Sequence, residues 1–125
     1  MSLSAIRSVD YVVLLCDDML AMRRFYEGTL GFPVHLDWPG WVELRVGATI
    51  LALRPRGRPY DGPGPDGAGV QLAFRVQPDE VDACHSELVG LGVEIVDPPT
   101  TADYGHRTVF FIDPERNVLE IYADV

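Results

Sequence analysis

Two stretches of the chain repeat one succession of hydrophobic and polar positions. Val9–Cys16 is a mostly aliphatic run, with three β-branched valines, suited to a strand. Asp17 and Asp18 follow where a helix needs an N-cap. Met19, Met22, Phe25 and Tyr26 then recur at helical spacing as far as Leu30-Gly31, where glycine suits a left-handed C-terminal position. Three short strands are predicted after it, over Pro33–Asp37, Trp41–Val46 and Thr49–Arg54.

The second stretch replays this order. Val70–Val76 reads as a strand, Gln77-Pro78-Asp79-Glu80 as a helix start, and Val81, Cys84, Leu88 and Leu91 as one helical face closed by Gly92. Strands are predicted over Val93–Asp97, His106–Ile112 and Val118–Tyr122. Leading strands and helix ends superpose at an offset of 60 or 61 residues, and the last strands need about seven more because the later loops are longer. Between the repeats, eight of the fourteen residues from Pro55 to Ala68 are proline or glycine, so no helix or central strand is expected there. Tyr60, the one aromatic of that segment, is read as a local packing residue. The expectation is a single domain over 1–125, with module one at 6–54, a linker at 55–68 and module two at 69–124.

One amphipathic helix per module covers only one face of a four-stranded sheet. Strand side chains alternate, which assigns Val12, Leu14 and Cys16 to the helix side and Tyr11, Val13 and Leu15 to the open side. In module two Leu72, Phe74 and Val76 go with the helix, whereas Gln71, Ala73 and Arg75 face away. Leu119 and Ile121 are expected to be covered, with Glu120 and Tyr122 on the open face. Polar groups set among apolar ones, at matching places in both halves, suit a ligand cleft. A solvated face or a dimer interface remains an alternative at this stage.

Composition narrows the function classes. The net charge of −9 argues against nucleic acid, whose phosphates need clustered positive charge; it suits a neutral or cationic ligand. All ten basic residues are arginine. No apolar run reaches the roughly 18 to 20 residues of a membrane span, and Met1–Ile6 lacks the pattern of a signal peptide, so a cytoplasmic protein is expected. Cys16 and Cys84 have no metal-type spacing and read as reduced thiols.

The closing stretch runs from Tyr104-Gly105 through the strand from His106 and the turn Asp113-Pro114-Glu115-Arg116-Asn117 to Leu119-Glu120-Ile121-Tyr122. It resembles the end of members of the vicinal oxygen chelate superfamily, the glyoxalases, bleomycin-resistance proteins and extradiol dioxygenases. The opening Val9-Asp10-Tyr11-Val12-Val13-Leu14 and Arg24-Phe25-Tyr26 before Leu30-Gly31-Phe32 are similarly placed, and the likeness runs from Ile6 to Asp124. It implies an α+β fold of two tandem βαβββ modules, each a curved four-stranded mixed sheet with one helix, together forming a cleft. In the turn, Arg116 replaces the family's usual glycine, and the positive φ is expected to pass to Asn117.

Family enzymes hold a divalent ion on the first and last strands of each unit. The positions that match are Tyr11, Ala52, Gln71 and Glu120. Glu120 is a routine ligand, Gln71 a weak one, Tyr11 an uncommon one, and Ala52 none. The expectation is therefore no cofactor and no metal; if an ion were bound, Glu120 and Gln71 would hold it. A hydrogen-bonded Tyr11, Gln71 and Glu120 cluster is expected in its place, with Arg75 as another partner for Glu120. His35 and His85 read as ordinary surface histidines, and His106 as a ligand contact.

Two functional readings follow from the resemblance. One is a small-molecule-binding protein that sequesters an antibiotic or another planar or cationic metabolite, contacted by Tyr11, Trp38, Trp41, Gln71, Arg75, Tyr104, His106, Phe111, Glu120 and Tyr122. Of Phe110 and Phe111, one must pack inward, and Phe111 is taken as the ligand contact. The other is a metal-dependent or acid/base lyase, isomerase or dioxygenase, with Glu120 and Tyr11 as catalytic groups and Arg75 or Arg45 steadying an anionic substrate. Whether the chain is an enzyme stays open. A homodimer is expected, with no nucleic acid or membrane partner.

Overall fold

Strand pairing carries the alternation of Tyr11–Cys16 into a layered unit. The structure, a computed structural model, describes residues 3–5, 8–59, 61 and 69–125. Most of the glycine- and proline-rich segment, and the packing role expected of Tyr60, lie outside those residues. The chain divides into two compact units, Met1–Asp61 and Gly62–Val125.

In the first unit, β1 (Tyr11–Cys16) leads to α1 (Met19–Arg23), then β2 (Val34–Trp38), β3 (Trp41–Val46) and β4 (Thr49–Pro55). The strand order is β1-β4-β3-β2. β1 runs parallel to β4, and the other pairs are antiparallel. Asp18 caps α1 by accepting a hydrogen bond from the Ala21 N–H at 3.0 Å. The helix does not stay α-helical. From Arg24 to Thr29 it widens into a π-turn, closed by the Leu30 N–H donating to the Phe25 carbonyl at 2.9 Å. The wider turn lets two consecutive aromatics, Phe25 and Tyr26, both bury, with ring centroids 5.1 Å apart. Gly31 follows at φ +78°, in the left-handed conformation expected of it.

The second unit repeats the plan with β5 (Gln71–Arg75), α2 (Glu80–Gly90), β6 (Ile95–Thr101), β7 (His106–Ile112) and β8 (Val118–Asp124), in sheet order β5-β8-β7-β6. Again the outer first strand is parallel to the last. The Glu80 carboxylate accepts from the Gln77 N–H at 3.0 Å, tying down the helix start. Gly92 ends the helix at φ +78°. The architecture is thus the expected α+β repeat of βαβββ units, each a four-stranded mixed sheet with one helix.

Burial follows the alternation. Leu14, Cys16, Met22, Leu44 and Leu53 form the helix-side core of the first unit, and Val81, Leu88, Phe111, Leu119 and Ile121 that of the second. Full burial of such side chains contributes about 1.5–3 kcal/mol each.

β6 and the closing turn depart from expectation. β6 was expected to end at Asp97 but continues to Thr101, because register shifts between Ile95 and Asp97 and between Asp97 and Thr100 absorb Pro98 and Pro99 at a sheet edge. The positive φ of the closing turn lies on Arg116 itself, at +68°, not on Asn117. Asn117 is committed elsewhere: its amide donates to Asp113 at 2.8 Å, and its carbonyl accepts from the Val70 N–H at 3.1 Å. Asp113 also accepts from the backbone N–H groups of Glu115 and Asn117. This network joins the turn to the entrance of β5 and leaves Arg116 to make the reversal.

Candidate functional site

In the second unit, the open face of β5, β8 and β7, with the loop before β7, gathers six of the ten residues expected to meet a ligand. Side chains opposite one another in register share a face, which sets His106 against Asp124, Thr108 against Tyr122 and Phe110 against Glu120. The His106 ring lies 4.9 Å from that of Tyr122 and 5.2 Å from that of Tyr104, at 31° and 69°. On the other side of Tyr122, from β5, the Arg75 guanidinium stands 4.9 Å from the ring centroid. Tyr104, His106, Tyr122 and Arg75 therefore make one continuous row of planar groups.

Asp124 anchors that row. It accepts from Arg75 at 2.6 Å, and its other oxygen is 3.1 Å from His106 Nε2. The Arg75 hydrogen bond holds the Asp124 carboxyl below the usual range, and Asp124 in turn raises Arg75. These groups are largely exposed, so the pair orients the guanidinium more than it stabilises the fold. Asp124 was missed in the sequence because β8 was expected to stop at Tyr122.

Glu120 lies between Ala73 and Phe110 in register. Gln71 Nε2 donates to it at 3.4 Å, a long hydrogen bond that leaves its second oxygen for other donors. Part of the expected cluster is therefore present within this unit. Tyr11 belongs to the first unit, where its partner is Trp41, with ring centroids 5.9 Å apart and planes at 82°.

Phe111 does not face the open side. It is fully buried, opposite Leu119, and strand alternation makes Phe110 the open-face member. Trp38 departs too. At 60% exposure it lines a groove of about 540 Å³ with Met19, Leu20, Arg23 and Asp37, where α1 meets β2.

On the open face of the first sheet, Glu43 stands directly opposite Ala52. It accepts from the Trp41 indole N–H at 2.8 Å and lies 4.0 Å from His35 Nε2. Arg45 donates to His35 Nδ1 at 2.6 Å. The sequence reading passed over Glu43, because only cross-strand register reveals that it neighbours the alanine corner.

The residues at the four corners do not fit a divalent ion. Ala52 is a buried methyl group, Gln71 is neutral and already donates to Glu120, and Tyr11 packs edge-on to Trp41. Among the described residues, no group of three or more His, Cys, Asp and Glu side chains converges as a metal set would. Burial first, and then Glu80 and Glu87, push the Cys84 thiol upward, away from the thiolate form. No helix among the described residues is long and apolar enough to cross a membrane.

Comparison with known proteins agrees with this plan. The model of the Glyoxalase/Bleomycin resistance protein/Dioxygenase superfamily matches residues 8–121. The uncharacterised protein YwkD of Bacillus subtilis (strain 168) is 29% identical over 126 residues, covering 94% of this chain and 97% of YwkD. A glyoxalase/bleomycin resistance protein/dioxygenase from Nocardioides superposes with a TM-score of 0.84 at 25% identity, over 97% of this chain and 85% of that one. Lactoylglutathione lyase from Agrobacterium tumefaciens shares the fold, with a TM-score of 0.76 at 22% identity, over 93% and 92% of the two chains. Repeat topology, closing turn and a family match over nearly the whole length converge: the chain belongs to the Glyoxalase/Bleomycin resistance protein/Dioxygenase superfamily.

Proposed function

We propose that this protein binds and sequesters a small planar organic molecule, such as an aromatic antibiotic or metabolite, on its open sheet faces and without a resident metal. The row of Tyr104, His106, Tyr122 and Arg75 carries this reading, because aromatic and guanidinium groups set side by side offer a flat ligand ring edges and faces to pack on. Glu120 and Asp124 add acceptors for a cationic or hydrogen-bond-donating substituent. The two free cysteines suit a reducing cytoplasm.

The test is a titration of the full-length protein, followed by amide chemical shifts, with bleomycin, acridine-type cations and flat neutral heterocycles. Saturable shifts at Tyr104, His106 and Tyr122 are expected for at least one class, with affinity falling about tenfold in Tyr122→Leu. A panel that moves none of these signals contradicts the reading. Metal analysis of protein purified without chelator should find well under one equivalent of divalent ion per chain. A homodimer is also proposed, and light scattering should then give twice the 13.8 kDa chain mass.

The second reading, an acid/base enzyme, draws on Glu120. Its carboxylate sits between Ala73 and Phe110 and, among the described residues, takes one long side-chain hydrogen bond, as a general base facing a substrate proton would. Once a substrate is known, a Glu120→Gln variant retaining full turnover would eliminate it.

A further inference from the structure

Glu43 is a mostly covered carboxylate that, among the described residues, has no arginine paired with it. Its side chain is 17% exposed, and its contacts are the Trp41 indole at 2.8 Å and His35 at 4.0 Å. Arg45, two residues along the same strand, donates instead to His35 Nδ1 at 2.6 Å. Because a guanidinium only donates, that nitrogen carries no proton and the ring proton sits on Nε2. His35 Nε2 thus stands beyond hydrogen-bonding reach of Glu43, and among the described residues no arginine is paired with the carboxylate. Leaving a carboxylate so covered and uncompensated is unfavourable for the fold alone.

The neighbours of Glu43 indicate what would compensate it. Tyr11 and Trp41 stand nearly perpendicular, at 82° and 5.9 Å, on the face that Glu43 shares. Two aromatic rings at right angles beside a carboxylate have the chemistry that holds an alkylammonium group, with ring quadrupoles and an anion acting together on one positive charge. The Trp41 N–H bond to Glu43 fixes the carboxylate against the indole edge and leaves Oε1 for the incoming cation. Glu43 faces Ala52 in register whereas Glu120 faces Phe110, so each sheet places one carboxylate at its central open-face pair, on different strands.

We infer that Tyr11, Trp41 and Glu43 form a half-cage for an organic ammonium group on the first sheet. This rests on the reading that the open faces take a ligand, and it assigns that ligand, or a second one, an alkylated or primary amine.

The probes are butylammonium and tetramethylammonium chloride, titrated against full-length Trp38→Phe protein, in which Trp41 is the remaining tryptophan. Saturable change in Trp41 fluorescence is expected with either probe and not with potassium chloride at equal ionic strength. Affinity should fall about tenfold in Glu43→Gln, the size of a lost charge-assisted contact. Tyr11→Leu, at a residue 48% exposed, should weaken binding several-fold and serves where Glu43→Gln fails to fold. A non-saturating response, one matched by potassium chloride, or unchanged affinity in both variants overturns the inference. The planar-ligand titration reads Tyr122 in the other unit, so failure here with success there removes the half-cage alone.

Discussion

Arg54 and Asp61 form a bidentate ion pair in the first unit, with Nη2–Oδ1 at 2.6 Å and Nη1–Oδ2 at 2.9 Å and side chains only 10% and 2% exposed. Asp61 Oδ2 also accepts from the backbone N–H groups of Gly57 and Arg58, at 2.9 and 2.8 Å. One carboxylate thereby pins the chain leaving β4. The Arg54 hydrogen bonds, helped by those two backbone donors, hold the Asp61 carboxyl well below the ordinary aspartate range.

The sign of the pH effect follows. A carboxyl depressed in the folded state binds fewer protons there than in the unfolded chain, so its stabilisation is complete above the ordinary aspartate value of about 3.9 and is lost as pH falls towards the folded value. Denaturation followed from pH 6 to pH 2 should show stability falling below about pH 4. Asp61→Asn should be less stable at pH 6 and show a shallower acid limb. A variant with an unchanged slope would remove Asp61 from the acid response.

Arg116 predicts a stabilising substitution. Its φ of +68° costs a residue with a Cβ about 1–2 kcal/mol, and glycine avoids this at a smaller entropic cost. It pairs with Glu94 at 3.9 Å, both side chains being about two-thirds exposed, so little is lost there. Urea denaturation of Arg116→Gly should show a gain of about 0.5–1 kcal/mol.

These two sites mark where sequence reading stops. Trp41–Val46 and His106–Ile112 were legible to the residue, since strict alternation or a β-branched and aromatic run lay between unmistakable turns. Both helix ends were legible through Gly31 and Gly92. The π-turn was not, because residues 24–29 keep a helical hydrophobic pattern and only the Leu30 to Phe25 hydrogen bond reveals the extra residue. Asp61 looked like one more polar residue of a proline- and glycine-rich connection, and nothing local linked it to Arg54. Glu43 and Asp124 became candidates only through cross-strand register, which depends on turn lengths and bulges that a linear pattern does not encode. The face shared by Gln71, Arg75, Glu120 and Tyr122 was legible, because the aliphatic runs named the strands and alternation named the side.

Asp18 supplies a local check on the first repeat. Its side chain is the acceptor for the Ala21 N–H, in a helix with only five α-helical residues before the π-turn begins. Asp18→Ala should cost about 1 kcal/mol in chemical denaturation, whereas Asp18→Asn, which keeps the acceptor, should cost little. Equal losses in both would show that charge at the helix start matters more than the cap.

The adjacent pair Phe110 and Phe111 separates packing from binding within one dipeptide. Phe111 is fully buried opposite Leu119, so Phe111→Ala leaves a cavity that its neighbours fill only in part and should cost about 3–5 kcal/mol. Phe110 is half-buried on the open face, beside Glu120, and truncating it opens that face more than the core. Phe110→Ala should therefore destabilise the protein by roughly 1–2 kcal/mol, in proportion to the smaller area it hides, while weakening any planar ligand that reaches Glu120. Denaturation midpoints measured beside ligand titrations on the same two variants check both halves of this claim. If Phe111→Ala proved the milder change in stability, the assignment of faces on β7 would be reversed, and His106, Thr108 and Tyr122 would move together to the helix side.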